Sequence, residues 1–181
     1  MPNFITLSNR IINSTVIGEL DSILPNNLSK RLMSSFQHNK ISKLLGLDNL
    51  IKNILIFNVG PNSKGPIHID INNLEIAQIP STFALNIPIA HCDELSVMWY
   101  ITDKSVLDAP DDTIPEFPGT PILEKKYAIE FDTTDCTLPH IVKIDTWHSV
   151  TNYSKSNIAK LISIRFFEDL ITKDELVKRF L

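Results

Sequence analysis

The stretch NILIFNVGPNSKGPIHID, residues 53–70, decides the fold expected for this chain. It contains two short runs rich in β-branched and aromatic residues, which are typical of strands. The Gly, Pro and Asn residues between the two runs are typical of a turn. Strands joined by turns, with no helix between them, indicate an antiparallel sandwich or barrel rather than a strand–helix–strand unit.

The same pattern continues toward the end of the chain. Apolar runs are separated by clusters of Pro, Asp, Asn and Gly, and we find no internal repeat or linker between them. The sequence therefore predicts a mainly β domain. The predicted strands cover residues 53–59, 65–71, 82–90, 95–102, 126–132, 140–145 and 159–167.

Helices are expected on either side of the strands. Leu28, Leu32 and Phe36 have helical spacing, and Asn27 precedes them as a possible cap. Near the carboxyl end, Thr172 and Glu175 have the spacing of a capping box. We expect one domain over 1–181, with a lead-in of two or three short helices over 1–50, a β core over 53–167 and a terminal helix over 168–181.

Composition excludes several classes of function. The chain has 17 Lys and Arg against 21 Asp and Glu, so a nucleic-acid or membrane partner is not expected. Two cysteines, Cys92 and Cys136, are too few for a disulfide scaffold. No window approaches the roughly 20 apolar residues of a membrane helix, and no secretory signal pattern opens the chain. We expect a soluble cytoplasmic protein.

His68 and Asp70 stand two residues apart in the predicted strand 65–71. Side chains two apart on a strand point to the same face, whereas Ile67, Ile69 and Ile71 point to the other face. The pair is therefore a set of metal ligands, a hydrogen-bonded couple or part of a solvated strand edge.

His148, in the run TWHSV, could complete a metal site. It follows a predicted strand and precedes a polar stretch that is typical of a turn. Two histidines and one carboxylate form the facial triad that holds Fe(II) and leaves coordination positions open. A jelly-roll barrel could bring these distant residues together.

Four runs resemble the Fe(II)/2-oxoglutarate-dependent oxygenase superfamily, especially its small aspartyl/asparaginyl hydroxylase-like and phage-type members. The runs are GPIHIDINN, FALNIPIAHCDELSVMWY, WHSVTNYS and LISIRF, in that order within residues 53–167. The resemblance implies a double-stranded β-helix, or cupin-like jelly-roll barrel, with His68, Asp70 and His148 as iron ligands. It also implies Fe(II), 2-oxoglutarate and O2 as cofactor and co-substrates, and hydroxylation of a C–H bond with decarboxylation of 2-oxoglutarate to succinate.

The residue that would anchor 2-oxoglutarate is less clear. The family places a basic residue on the last strand, and the candidates here are Arg165 and Lys160. In similar members this arginine lies about six residues before the final one, where this chain has Ala159. Ala159 and Arg165 share one strand face and Lys160 lies on the other, which favours Arg165. Asn86 could line the co-substrate pocket or hydrogen-bond to a neighbouring backbone.

Two other functions remain open from the sequence. One is a cupin-like metalloprotein that uses the same ligands without 2-oxoglutarate, and it would gain support if no basic residue faced the pocket. The other is a non-catalytic β-barrel binding module. A small-molecule or peptide substrate is expected, of unknown identity, and the oligomeric state is not indicated. The acidic, Pro-rich segment 105–126 could cover a site, and His140 is expected in an exposed turn.

Overall fold

The computed structural model describes residues 3–7, 11–24, 35–70, 82–102 and 122–181. Within these residues the chain forms strands, three α-helices and a short 3-10 helix, Lys125–Tyr127. The helices are α1 (Ser14–Ile23), α2 (Ser35–Leu44) and α3 (Lys173–Phe180). The strands are β1 (Phe4–Thr6), β2 (Ile51–Val59), β3 (Ser63–Lys64), β4 (Ile67–His68), β5 (Phe83–Ala90), β6 (Leu95–Ile101), β7 (Ile122–Leu123), β8 (Ile129–Asp135), β9 (His140–Lys143), β10 (His148–Asn152) and β11 (Ala159–Phe166).

Two antiparallel sheets form the body of the molecule. The first has the strand order β1-β9-β5-β11-β2. The second has the order β7-β4-β10-β6-β8, and β3 also pairs with β10. The chain passes from one sheet to the other after β2, β4, β5, β8, β9 and β10, as in a jelly roll. The expected fold class, a double-stranded β-helix with N-terminal helices and a short C-terminal helix, is confirmed.

Apolar side chains fill both faces of the first sheet. On β11, Ile162 and Ile164 belong to the cluster that packs against the helices, which also contains Leu20 of α1. Ala159 and Leu161 belong to a second cluster, which includes Trp99 of the second sheet. Alternation along one strand therefore divides the core into a layer under the helices and a layer between the sheets.

Side-chain caps fix the beginnings of α1 and α3. Asn13 accepts hydrogen bonds from the backbone N–H groups of Thr15 and Val16, so it caps α1. The capping box predicted at Thr172 and Glu175 is confirmed as the start of α3. Leu176 and Phe180 of that helix are buried against the first sheet and the other helices.

Four strands were not expected from the sequence, namely β1, β10 and the two-residue strands β3 and β7. β1 lies in the predicted helical lead-in and pairs with β9, because its three residues extend the edge of the first sheet. β10 occupies the stretch after His148 that was interpreted as a turn, and this interpretation is wrong. Among its polar side chains, Asn152 donates hydrogen bonds to the carbonyls of Val59 and Asn157, and the Ser149 hydroxyl is hydrogen-bonded to that of Tyr100.

Some expectations fall outside the described residues. The possible cap Asn27, with Leu28 and Leu32, lies there, as do residues 105–121 of the segment proposed as a cover. Among the helices that are described, none is both long and apolar enough to cross a bilayer.

Candidate metal centre

His68, Asp70 and His148 lie together between the two sheets. One potential ligand atom from each residue can be chosen so that all three lie within 4.8 Å of one another. β4 and β10 are neighbouring antiparallel strands in which His148 stands directly opposite His68. The two imidazole centroids are 4.5 Å apart. Sheet register thus brings together residues that are far apart in the sequence.

Backbone carbonyls orient both imidazole rings. Nδ1 of His68 lies 3.0 Å from the carbonyl oxygen of Pro66, and Nδ1 of His148 lies 2.8 Å from that of Thr146. A carbonyl can only accept a hydrogen bond, so each Nδ1 carries the proton and donates. In its neutral form each ring then presents the lone pair of Nε2 as a metal ligand, which is the usual arrangement around a metal-binding histidine.

The carboxylate of Asp70 has a different partner on each oxygen. Oδ1 lies 3.2 Å from Nε2 of His68. Oδ2 accepts a hydrogen bond from the guanidinium of Arg165. Oδ1 is therefore the oxygen that faces Nε2 of His68, while Oδ2 accepts a hydrogen bond from Arg165 of the other sheet.

Arg165 belongs to a short hydrogen-bonded chain that runs along the inner face of the first sheet. Its Nη1 donates to Oγ of Ser163 at 2.7 Å, and that hydroxyl donates to Oδ1 of Asn86. All three residues are buried. The hydrogen bond between Ser163 and Arg165 is not among the sequence predictions. Strand parity could have indicated it, because Leu161, Ser163 and Arg165 share one face of the strand.

The electrostatics of the three candidate ligands favour an ionised carboxylate beside two imidazoles. Burial raises the pKa of Asp70, but Arg165, His68 and His148 outweigh this effect and hold it well below its usual range. Burial lowers the pKa of His148 to about 4, with help from the charges of His68 and Arg165. For His68, burial opposes the charged form, but the hydrogen bond and charge of Asp70 leave its pKa raised.

A cavity extends from the three candidate ligands into the space between the sheets. It encloses about 510 Å³ of empty space, its opening to solvent included. His68, Asp70, His148, Asn86, Ser163 and Arg165 form its polar part. Most of the remaining lining is apolar, from Phe57, Val59, Val97, Val142, Val150 and Leu161.

Lys160, the other candidate anchor, is not brought to the cavity. Its Nζ lies 2.8 Å from a carboxylate oxygen of Asp21 on α1, which packs on the outer face of the first sheet. Ala159 is fully buried in the apolar cluster between the sheets. Strand parity had placed Lys160 and Ala159 on opposite faces, and the structure agrees.

The expectation for His140 is wrong. It is 1% exposed, whereas the sequence placed it in an exposed turn. Its Nδ1 lies 2.8 Å from the carbonyl oxygen of Leu138, so the ring closes a local turn and packs inward at the start of β9. Burial lowers its pKa, with partial opposition from this hydrogen bond. In the sequence, the proline that precedes His140 does not indicate whether the histidine is buried or exposed.

Comparison with known proteins shows the fold. No protein-family model matches the sequence, and no curated protein matches it. The solved structure of apo HygX from Streptomyces hygroscopicus matches 91% of this chain and 81% of its own, at 9% identity and a TM-score of 0.50. At this identity the likeness concerns the fold alone.

Two further solved structures lie just below that level of similarity. One is SnoK, described as a non-heme alpha ketoglutarate dependent carbocyclase from nogalamycin biosynthesis, with 12% identity over 91% of this chain and 79% of that one, and a TM-score of 0.48. The other is the non-heme monooxygenase ThoJ in complex with nickel, with 10% identity, 91% and 73% coverage, and a TM-score of 0.44.

Proposed function

We propose that this protein is a non-heme iron oxygenase that hydroxylates a C–H bond with a 2-oxo acid as co-substrate. 2-Oxoglutarate is the 2-oxo acid that the sequence resemblance implies. The observation that carries the proposal is the convergence of two imidazole nitrogens and one carboxylate oxygen, within 4.8 Å, on a cavity between two sheets.

The donor set fits Fe(II) on chemical grounds. Two neutral imidazoles and one carboxylate make the triad of non-heme iron oxygenases, which binds one face of the ion and leaves positions open. The rings are held by backbone carbonyls and the carboxylate by Arg165, so each donor has an outer partner that sets its orientation. Nε2 of His68, Nε2 of His148 and Oδ1 of Asp70 are the atoms that would hold the metal.

The protein's own contribution to such a reaction is positioning and exclusion of water. Bound iron would supply the oxidative decarboxylation of the 2-oxo acid by O2, in which one oxygen atom enters the shortened acid and the other enters the substrate. Arg165 holds the second oxygen of Asp70 throughout, so the carboxylate cannot rotate away from the histidines. The apolar walls of the cavity limit the access of water to the reacting groups.

A metal enzyme that needs no 2-oxo acid is the second candidate, and one observation favours it. Arg165 forms an ion pair with Asp70, and Lys160 lies on the outer face of the first sheet, where it pairs with Asp21. Neither therefore offers an unengaged cation to a second carboxylate. A non-catalytic binding module would also preserve the hydrogen-bonded triad, and binding measurements separate these possibilities.

The test is an anaerobic titration of the Fe(II)-loaded protein with 2-oxo acids. A 2-oxo acid that chelates Fe(II) produces a weak visible charge-transfer band, and release of CO2 on admission of O2 then reports turnover. We expect the band with at least one 2-oxo acid. Iron binding without a band from any of them would favour the second candidate, and failure to bind iron would favour the binding module.

A further inference from the structure

We infer that the co-substrate pocket takes a 2-oxo acid with an apolar tail in preference to 2-oxoglutarate. This inference rests on the proposed function and specifies the chemistry of its co-substrate. The 2-oxo and carboxylate end would be common to both kinds of acid. The difference lies in the tail, which ends in a second carboxylate in 2-oxoglutarate and in hydrocarbon in the alternative.

The inner surface beyond the triad is hydrocarbon on both sheets. On β11, the side chains that precede Ser163 on the inner face are those of Leu161 and Ala159. Their partners on β2 are Phe57 and Val59, which pack against the same cluster. Val97 of β6 and Val150 of β10 face them from the second sheet. A tail directed away from the triad into this part of the cavity would therefore contact aliphatic and aromatic groups.

The cationic groups near the cavity are already engaged. Arg165 is 4% exposed and donates to both Asp70 and Ser163. Lys143 contributes to the lining, but its side chain is 43% exposed and its Nζ lies 3.7 Å from a carboxylate oxygen of Asp145. Among the residues that the structure describes, no other Lys or Arg lines the cavity. Lys160 reaches Asp21 on the helical side.

These observations bear directly on affinity. A carboxylate moved from water into an apolar pocket loses its hydration and is strongly disfavoured unless a cation or several donors replace the water. A hydrocarbon tail in the same place gains by leaving water. The pocket therefore discriminates against the second carboxylate of 2-oxoglutarate and accepts a branched or straight apolar chain.

The direct experiment compares three acids on the unmodified protein under anaerobic conditions with Fe(II). They are 2-oxoglutarate, 4-methyl-2-oxopentanoate, which has a branched apolar tail, and pyruvate, which has almost no tail. Dissociation constants come from the visible band and, independently, from quenching of tryptophan fluorescence with Mn(II) in place of iron. We expect 4-methyl-2-oxopentanoate to bind about tenfold or more tightly than 2-oxoglutarate.

Binding of 2-oxoglutarate as tight as that of the apolar acid, or tighter, would overturn the inference while leaving the proposed function intact. It would mean that a cation outside the described residues reaches the tail. Absence of binding by all three acids to a folded, iron-loaded protein would instead refute the proposed function, and the inference with it.

A second test uses a variant that adds a positive charge to the pocket. Ala159 stands where the resemblance places an anchoring arginine, so Ala159→Arg should strengthen 2-oxoglutarate binding at least severalfold and weaken that of 4-methyl-2-oxopentanoate. Ala159→Met adds similar length without charge and should not gain 2-oxoglutarate affinity. Lys160→Met, on the outer face, should leave both constants unchanged. A loss of 2-oxoglutarate binding in Lys160→Met would contradict the inference, and circular dichroism verifies that each variant is folded.

Discussion

Arg165 and Asp70 form an ion pair that joins the two sheets of the barrel at the candidate metal centre. Arg165 lies on β11 of the first sheet, and Asp70 follows β4 of the second. The guanidinium takes Oδ2 of the carboxylate and leaves Oδ1 directed toward His68. The same contact therefore stabilises the packing of the sheets and selects the oxygen that is available to a metal.

Replacing Arg165 with methionine should destabilise the protein. The carboxylate of Asp70 would keep His68 on one oxygen and lose the guanidinium on the other, and breaking such a partly buried pair from one side costs up to about 3 kcal/mol. Urea denaturation followed by circular dichroism measures the change in the free energy of unfolding. Lys160→Met is the matched control, because its pair with Asp21 is partly exposed and should contribute less than about 1 kcal/mol. Equal losses in the two variants would contradict this interpretation.

Ser163→Ala should weaken metal binding as well as stability. The substitution leaves Nη1 of Arg165 without an acceptor and Oδ1 of Asn86 without a donor, which costs about 1–3 kcal/mol of stability. Because Arg165 positions Asp70, we also expect roughly tenfold weaker metal affinity, measured by titration calorimetry. Ser163→Thr keeps the hydroxyl and should restore most of the affinity. A loss of stability with unchanged metal affinity would show that Ser163 has only a structural role.

Thr172→Ala should reduce the free energy of unfolding by about 1 kcal/mol, since it removes the side-chain cap of α3. Thr172→Ser preserves the hydroxyl and should retain nearly full stability. The helix packs in the cluster on the helical side of the first sheet and none of its residues lines the cavity, so metal affinity should not change in either variant. Thermal and urea denaturation with a parallel metal titration test these three expectations together.

Both cysteine thiols should be unreactive in the native protein. Cys92 is 5% exposed and Cys136 is fully buried, and burial raises the pKa of both thiols, so little nucleophilic thiolate forms near neutral pH. Ellman's reagent at pH 8 should titrate no thiol before unfolding and two afterwards. Rapid reaction of one thiol in the native state would mean that this part of the barrel opens readily.

Much of the fold follows from local signals in the sequence. The long strands β2, β5, β6 and β11 were predicted to within about two residues, because apolar runs bounded by turn residues have few alternative structures. The capping box of α3 was equally clear. β1, β3, β7 and β10 were missed because they are short or polar, and they become strands only when neighbouring strands supply hydrogen-bond partners.

The sequence predicts which residues form the candidate site. It does not predict which of them are in contact with one another. Strand parity placed His68 and Asp70 on one face and separated Lys160 from Arg165, and the structure agrees with both. The partner of Arg165 was not predictable, since it depends on how two sheets face each other across the barrel. The burial of His140 depends in the same way on long-range packing.

Binding of Fe(II) at the triad is tested by anaerobic titration calorimetry of the unmodified protein and of His148→Ala. We expect one metal ion per chain, and a loss of affinity of at least about 100-fold in His148→Ala, because one of three ligands is removed. His91→Ala, which removes an exposed histidine outside the site, should bind as the unmodified protein does. Equal affinity in the unmodified protein and His148→Ala, or no binding by the folded unmodified protein, would contradict the account.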